Sequence, residues 1–345
     1  IAYPPAVWER SFEMLTLPEG AGPLLLGGNI LDTVADSPIL KKFKELAGEN
    51  ILIVASGYPS GRSAETAIKK YTDGLGMPVQ SIVAGDEPIL IPEGVTGVLV
   101  IGKDQSKVNA AALEPLKEFW LSGGPVMADN AAAPVFGAFY SNHEPTPSDA
   151  ELEELATQKS FWQGRTKMLP GLGWLNVTLE PQLVGDLRFG RLFSLAYNHP
   201  DLLAIGLNQD TALLLTADGP TALGDDGIYV FDLRQARTQL GANEGFIISN
   251  AMLDVFAPGD LIQPETADVN AQFDPAPTPV LPTPAPTATQ TPVPTALPST
   301  QPAPTSAPAE TPAPAPQPAA FPVWGGALAA LALLAAGVWY FRRRK

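Results

Sequence analysis

Short apolar runs alternate with amphipathic stretches through the first 130 residues. The runs typical of strands lie at 23–27, 50–56, 77–83, 95–102 and 125–128. Helical periodicity separates them at 62–75 and 105–121, and a further helix begins at Ser37-Pro38, where a hydroxyl N-cap precedes a proline, and runs to Ala47-Gly48. This alternation predicts an α/β fold: a doubly wound, mostly parallel sheet with helices on both faces. Ligands of such sheets bind at the carboxyl ends of the strands.

The second half of the folding part has a different pattern of apolar and polar residues. Small residues at 131–133 are predicted to open a helix, and further helices are predicted at 149–162 and 187–197. From Leu202 onward, the runs LLAIGL, TALLLTA, GIYVFDL and GFIISN are separated by Asp and Gly turns. We expect these runs to be antiparallel strands that complete one edge of the same sheet.

The chain becomes rich in proline after residue 262. Between 275 and 318, 16 of 44 residues are proline and the only charge is Glu310, so this stretch has too few apolar side chains to form a core. We therefore predict an α/β domain at 1–262 and a disordered Pro/Thr-rich stalk at 263–320.

An uncharged run of 21 residues, 321–341, follows the stalk and is long enough to cross a bilayer. Trp324 and Trp339 lie near its two ends, and the basic residues 342–345 close the chain. The positive-inside rule then predicts a single-pass membrane helix with a cytoplasmic tail at 342–345 and an extracytoplasmic domain. The first 20 residues contain no signal-peptide pattern, so we expect that a signal peptide has been removed or that the chain is a fragment.

Charge and residue usage exclude several kinds of function. The net charge is −15, and residues 1–320 carry 17 basic against 36 acidic side chains, which disfavours nucleic acid as a partner. The chain has no cysteine and only two histidines, His143 and His199, so thiol catalysis, disulfides and a histidine metal site are not expected. We predict neither a metal nor a cofactor.

The segment LSGGPVMADNAAAPVFG, at 121–137, predicts a strand, a tight turn and a helix. In hydrolases this arrangement raises a nucleophile to the top of a parallel sheet, beside backbone N–H groups that hold an oxyanion. Here the residue at the turn is Asn130, whose carboxamide cannot be activated as a nucleophile by a proton relay.

Six stretches, in order, resemble the cyanophycinase-like serine peptidases, a family that includes the peptidase E type of aspartyl dipeptidase and has a fold akin to class I glutamine amidotransferases. GGN (27–29) resembles the family's first loop, GKDQ (102–105) its GGDQ loop, and ADNAAA (128–133) its GTSAGA apex. PGLGWL (170–175) resembles PGLGLL, EPQLVGDLRFGRL (180–192) resembles DQHF with its spaced arginines, and GLNQDTAL (206–213) resembles GIDEDTAL.

The resemblance implies a serine, a histidine and a glutamate where this chain has Asn130, Gln182 and Gln209. Loss of triad members costs on the order of 10⁶ in rate, so the substitutions predict a degenerate triad with no active catalytic residue. The resemblance also places Gln105, Arg188 and Arg191 in the substrate pocket. Arginines there would grip a carboxylate, or they would simply form ion pairs along a surface helix.

Three functions remain open at this stage. The first is a membrane-anchored, non-catalytic domain whose former cleft binds a peptide or small molecule, or serves as an interaction module. The second is an active peptidase for aspartyl peptides of the β-Asp-Arg type, which would use displaced residues such as His143 or His199 with Glu180. The third is a structural spacer of the cell envelope, which predicts a filled cleft near Asn130.

Overall fold

The computed structural model describes residues 11–142 and 161–263. These residues all belong to one compact unit and form a mixed α/β fold with two large sheets. Strands are numbered along the chain.

The first sheet has seven strands in the order β11-β10-β1-β5-β4-β2-β3. The five from β1 to β3 in this order are parallel, whereas β10 and β11 join the β1 edge as an antiparallel hairpin. The strand bounds are β1 Leu24–Gly27, β2 Ile51–Ser56, β3 Gln80–Val83, β4 Gly97–Gly102, β5 Val126–Asn130, β10 Thr211–Thr216 and β11 Gly219–Gly224. The parallel core of the sheet is the one that the apolar runs predicted.

Helices cover one face of this sheet. α1 (Pro38–Ala47) begins where Ser37 Oγ accepts a hydrogen bond from the Leu40 N–H, as the Ser-Pro pair predicted. α2 (Gly61–Leu75) begins with a capping box at Ser60. Both helices bury apolar side chains, such as Phe43 and Tyr71, against this face of the sheet.

The opposite face of the first sheet packs largely against a second sheet. This sheet has six strands in the order β15-β12-β9-β8-β6-β7, in which only β9, β8 and β6 are parallel. The strand bounds are β6 Phe139–Asn142, β7 Lys167–Pro170, β8 Val177–Pro181, β9 Leu203–Leu207, β12 Ile228–Asp232 and β15 Met252–Phe256. Side chains from both sheets share one apolar core, together with α3 (Ala110–Leu113) and α4 (Leu116–Leu121). A last helix, α5 (Phe189–Asn198), covers the outer face of the second sheet, and β13 (Arg237–Leu240) pairs with β14 (Phe246–Ser249) as a separate hairpin.

The prediction that the late strands complete one edge of a single sheet was wrong for most of them. Only the run that became β10 joins the first sheet, whereas β9 and β12 belong to the second and β9 is parallel to β8. Apolar alternation gives the strands but not their partners, because pairing is decided by contacts between distant parts of the chain.

Two helix predictions also need correction. The helix expected at 105–121 is broken into a 3-10 turn at Gln105–Lys107 and the short helices α3 and α4, because Pro115 lacks the N–H that an unbroken helix requires. The helix expected after 131–133 is only a 3-10 turn, Ala133–Phe136, which ends at Gly137 before β6. The helix predicted at 149–162 lies almost wholly outside the described residues, as do the stalk, the apolar run 321–341 and the basic tail. Within residues 11–142 and 161–263, no helix is long and apolar enough to span a membrane.

Candidate functional site

Three carboxamide side chains meet where strands from the two sheets reach their carboxyl ends. Asn130 ends β5, Gln182 follows β8, and Asn29 lies in the loop after β1. Gln182 Nε2 donates to Asn130 Oδ1 at 2.8 Å, and Asn29 Nδ2 donates to Gln182 Oε1 at 3.3 Å. We call these three residues the carboxamide cluster. Two of its members were predicted from the sequence, and Asn29 was noted there only as part of the GGN motif.

Each residue of the carboxamide cluster has a positive φ angle. The values are +56° for Asn130, +55° for Gln182 and +143° for Asn29. Asparagine tolerates the left-handed region better than most residues, whereas glutamine there carries a strain of about 1–3 kcal/mol. The sharp turn expected at the apex is therefore present, and it carries the carboxamide of Asn130.

The third predicted triad position, Gln209, is not part of the carboxamide cluster. Its side chain is exposed and lies against Gly185, and among the described residues it forms no hydrogen bond with Asn130 or Gln182. Its neighbour Asn208 is buried instead, where Oδ1 accepts from the Val184 N–H at 3.2 Å and Nδ2 donates to the Gly227 carbonyl at 3.1 Å. Asn208 thus joins the loop after β8 to the start of β12, a role that the residue type alone does not predict.

Glu180, the next-to-last residue of β8, is the centre of a second polar group. It is fully buried and accepts a short hydrogen bond from Ser141 Oγ at the end of β6. Arg188 Nη1 lies 3.4 Å and Arg191 Nη1 lies 3.6 Å from Glu180 Oε1. Burial lowers the pKa of Arg191, and the charge of Glu180 opposes that shift. The group is a buried ion cluster between the second sheet and α5.

The predicted ligand-binding residues form hydrogen bonds and ion pairs within this buried ion cluster. Arg188 donates to Gln105 Oε1 at 3.0 Å, and its outer edge donates to Asp186 Oδ2 at 2.7 Å. Gln105 is itself buried and its Nε2 lies 3.5 Å from Ser141 Oγ. The structure thus brings Gln105, Arg188 and Arg191 together. The arginines pair with a buried carboxylate, which neither of the two sequence interpretations specified.

Of the two histidines, His199 lies among the described residues, and it is not placed to act with Glu180. His199 follows α5 and stacks on Phe139 at 3.7 Å between ring centroids, where burial lowers its pKa. Phe139 pairs with Thr178, two residues before Glu180 on β8, and the oxygens of Glu180 are taken up by Ser141 and the arginines. His143 lies outside the described residues. Among the described residues, no group of three or more His, Asp or Glu side chains is arranged to hold a metal ion.

The sequence is similar to known cyanophycinases. It is 26% identical over 276 residues to the cyanophycinases of Synechococcus elongatus and Thermosynechococcus vestitus, which covers 72% of this chain and 81% of each relative. The cyanophycinase of Trichormus variabilis is 31% identical over 99 residues, 27% of this chain and 33% of that protein. No protein-family model matches the sequence. These similarities confirm the resemblance to cyanophycinases that the motifs indicated.

A solved structure of a Listeria monocytogenes protein described as a peptidase E is also similar. The sequence identity is 14% and the TM-score is 0.38, over 59% of this chain and 98% of the other.

Proposed function

We propose that this chain is a non-catalytic cyanophycinase-like domain whose former active-site cleft, in a fold akin to class I glutamine amidotransferases, binds a peptide or a small molecule. The observation that carries the proposal is the hydrogen-bonded carboxamide cluster at the apex. A carboxamide takes up or releases no proton near neutral pH, so Asn130 and Gln182 provide neither a nucleophile nor a base. The same side chains keep unused N–H donors, which suit a carbonyl or carboxylate oxygen of a ligand.

The exposure of the carboxamide cluster favours binding over a purely structural role. Asn29 and Asn130 are partly exposed, whereas an envelope spacer would have this cleft filled. The arrangement of Glu180 weighs against a peptidase with displaced residues, because both Glu180 and Ser141 are fully buried. A nucleophile and its base must reach the substrate within hydrogen-bonding distance.

A thermal-shift screen of the full-length chain with aspartyl dipeptides, including β-Asp-Arg, tests the binding proposal. We expect a rise in Tm that Gln182→Ala abolishes and Gln209→Ala preserves. The two variants are matched, because each removes one glutamine side chain but only Gln182 belongs to the carboxamide cluster. A screen without any shift, or an equal loss in both variants, would contradict a ligand site at this cluster.

A fluorophosphonate probe separates the binding proposal from catalysis. We expect no labelled serine in the full-length chain. A labelled residue, together with cleavage of β-Asp-Arg, would show that the domain is an active peptidase.

We also propose that the domain is displayed outside the cell on the stalk at 263–320, held by a membrane helix at 321–341. The composition of these two ranges supports the proposal. Protease treatment of intact cells that express the chain is expected to release the domain. Recovery of the whole chain from the soluble fraction would refute the anchor.

A further inference from the structure

Asp129, one residue before the apex, connects three elements of the fold. Its side chain is fully buried, and its Oδ2 accepts a hydrogen bond from the Ile30 N–H at 3.1 Å and a short one from the Tyr71 hydroxyl. Ile30 follows Asn29 in the first loop, and Tyr71 lies in α2. One carboxylate oxygen at the end of β5 therefore holds the loop that carries Asn29.

The second oxygen of Asp129 is buried and has no hydrogen-bond partner among the described residues. Oδ1 lies against Gly27, which pairs with Asp129 across β1 and β5, and a Cβ on Gly27 would lie 2.3 Å from it. The missing side chain of Gly27 makes room for the carboxylate. A proton taken up at Oδ1 breaks no existing hydrogen bond.

Within residues 11–142 and 161–263, no positively charged side chain pairs with Asp129. Burial raises its pKa to about 6, an effect that the Tyr71 hydroxyl and the backbone N–H groups of Ile30 and Asn130 oppose and that the charge of Asp210 supports. Tyr71 from α2 and Tyr58 from the preceding loop face it as neutral phenols, and burial beside Asp129 raises the pKa of each. Asp32, the other nearby acid, is exposed and paired with Lys70.

We propose that Asp129 is a positioning residue, which holds the loop of Asn29 beside the apex while it is ionised and loosens it when it takes up a proton. A hydrogen bond to a carboxylate is about twice as strong as one to a neutral group, so protonation weakens the bond from the Ile30 N–H. The carboxamide cluster then loses its fixed placement of Asn29. The inference needs no ligand, so it stands or falls separately from the proposed binding function.

Protonation of Asp129 loosens the loop, but it should increase the stability of the whole fold. The folded-state pKa is raised above the ordinary value of 3.8, so an ionised Asp129 destabilises the fold above about pH 6. This destabilisation is relieved as the pH falls towards 4. Local loosening of the loop together with a gain in global stability is a pattern that a merely structural residue would not produce.

Hydrogen exchange of the full-length chain at pH 7.5 and pH 5.0 tests the proposal, with rates expressed as protection factors to remove the intrinsic effect of pH. For residues 28–31 of the natural chain we expect roughly a three- to tenfold lower protection at pH 5.0. Asp129→Asn keeps the shape but cannot titrate, so its protection should not change with pH. Asp218→Asn, which changes an exposed aspartate in the turn between β10 and β11, is the control and should behave like the natural chain. Unchanged protection in the natural chain, or the same fall in Asp129→Asn, would overturn the proposal.

Tyr71→Phe keeps the proposal testable if Asp129→Asn does not fold. The bond from Tyr71 lowers the pKa of Asp129, so its removal should move the midpoint of loop loosening to higher pH. Carboxyl carbon-13 NMR of the same samples should show the Asp129 titration moving with the loop. A midpoint that stays in place, or a loop that loosens without titration of Asp129, would refute the assignment.

Discussion

Replacement of Glu180 by alanine is the sharpest test of the buried ion cluster. Glu180 is fully buried, and the side chains of Arg188 and Arg191 are 15% and 21% exposed. Arg188 keeps Asp186 and Gln105 as partners after the change, whereas Arg191 loses the only partner that it has among the described residues. The variant therefore leaves one largely buried guanidinium without a counter-charge.

The expected loss can be estimated from these contacts. Breaking a buried ion pair by removing one partner costs about 3–5 kcal/mol, because the remaining charge stays desolvated. For a domain of this size, 1 kcal/mol corresponds to a change in Tm of about 2–4 °C, so Glu180→Ala should lower Tm by roughly 10 °C. Urea unfolding of the full-length chain, followed by tryptophan fluorescence, measures the free-energy difference directly.

Two controls make the result interpretable. Asp73→Ala breaks the exposed pair with Lys69, at 2.6 Å, and should change the free energy of unfolding by less than about 1 kcal/mol. The double variant Glu180→Ala/Arg191→Ala should recover part of the loss, since it removes the unpaired charge. A Glu180→Ala loss no larger than that of Asp73→Ala, or no coupling in the double variant, would refute a stabilising role for the cluster.

Two further stability predictions follow from close contacts near the site. Gly27→Ala should lower the free energy of unfolding by about 1–3 kcal/mol, because its Cβ would lie 2.3 Å from Asp129 Oδ1, whereas Gly61→Ala, with open space around its Cβ, should be nearly neutral. Equal urea midpoints for the two glycine variants would contradict the close contact. Asn208→Ala leaves a buried N–H and a carbonyl without partners and should cost about 2 kcal/mol in the same assay. A loss below about 0.5 kcal/mol would mean that water replaces the amide.

Much of the first sheet was predictable from sequence alone. The apolar runs of β1, β2, β4 and β5 are continuous because these strands are buried on both faces, and the cap at Ser37 is a local signal. The placement of Asn130 at the apex also followed from local sequence, since a strand that ends in a tight turn was evident there. The order of six motifs was sufficient to indicate the cyanophycinase-like family.

The tertiary structure alone decided which of the candidate residues act together. Gln209 and Asn208 are adjacent in sequence, yet the first is exposed and the second buried, because the turn after β9 directs them to different surroundings. Glu180 is enclosed by α5 and β6, and Asn29 reaches Gln182 only because β1 and β8, from different sheets, end at the same place. Residue type and spacing along the chain determine the strands, the turns and the carboxamide at the apex. Which side chains meet depends on pairing between strands as distant as β1 and β10, where Leu24 pairs with Leu215, and that information is not present in any local stretch.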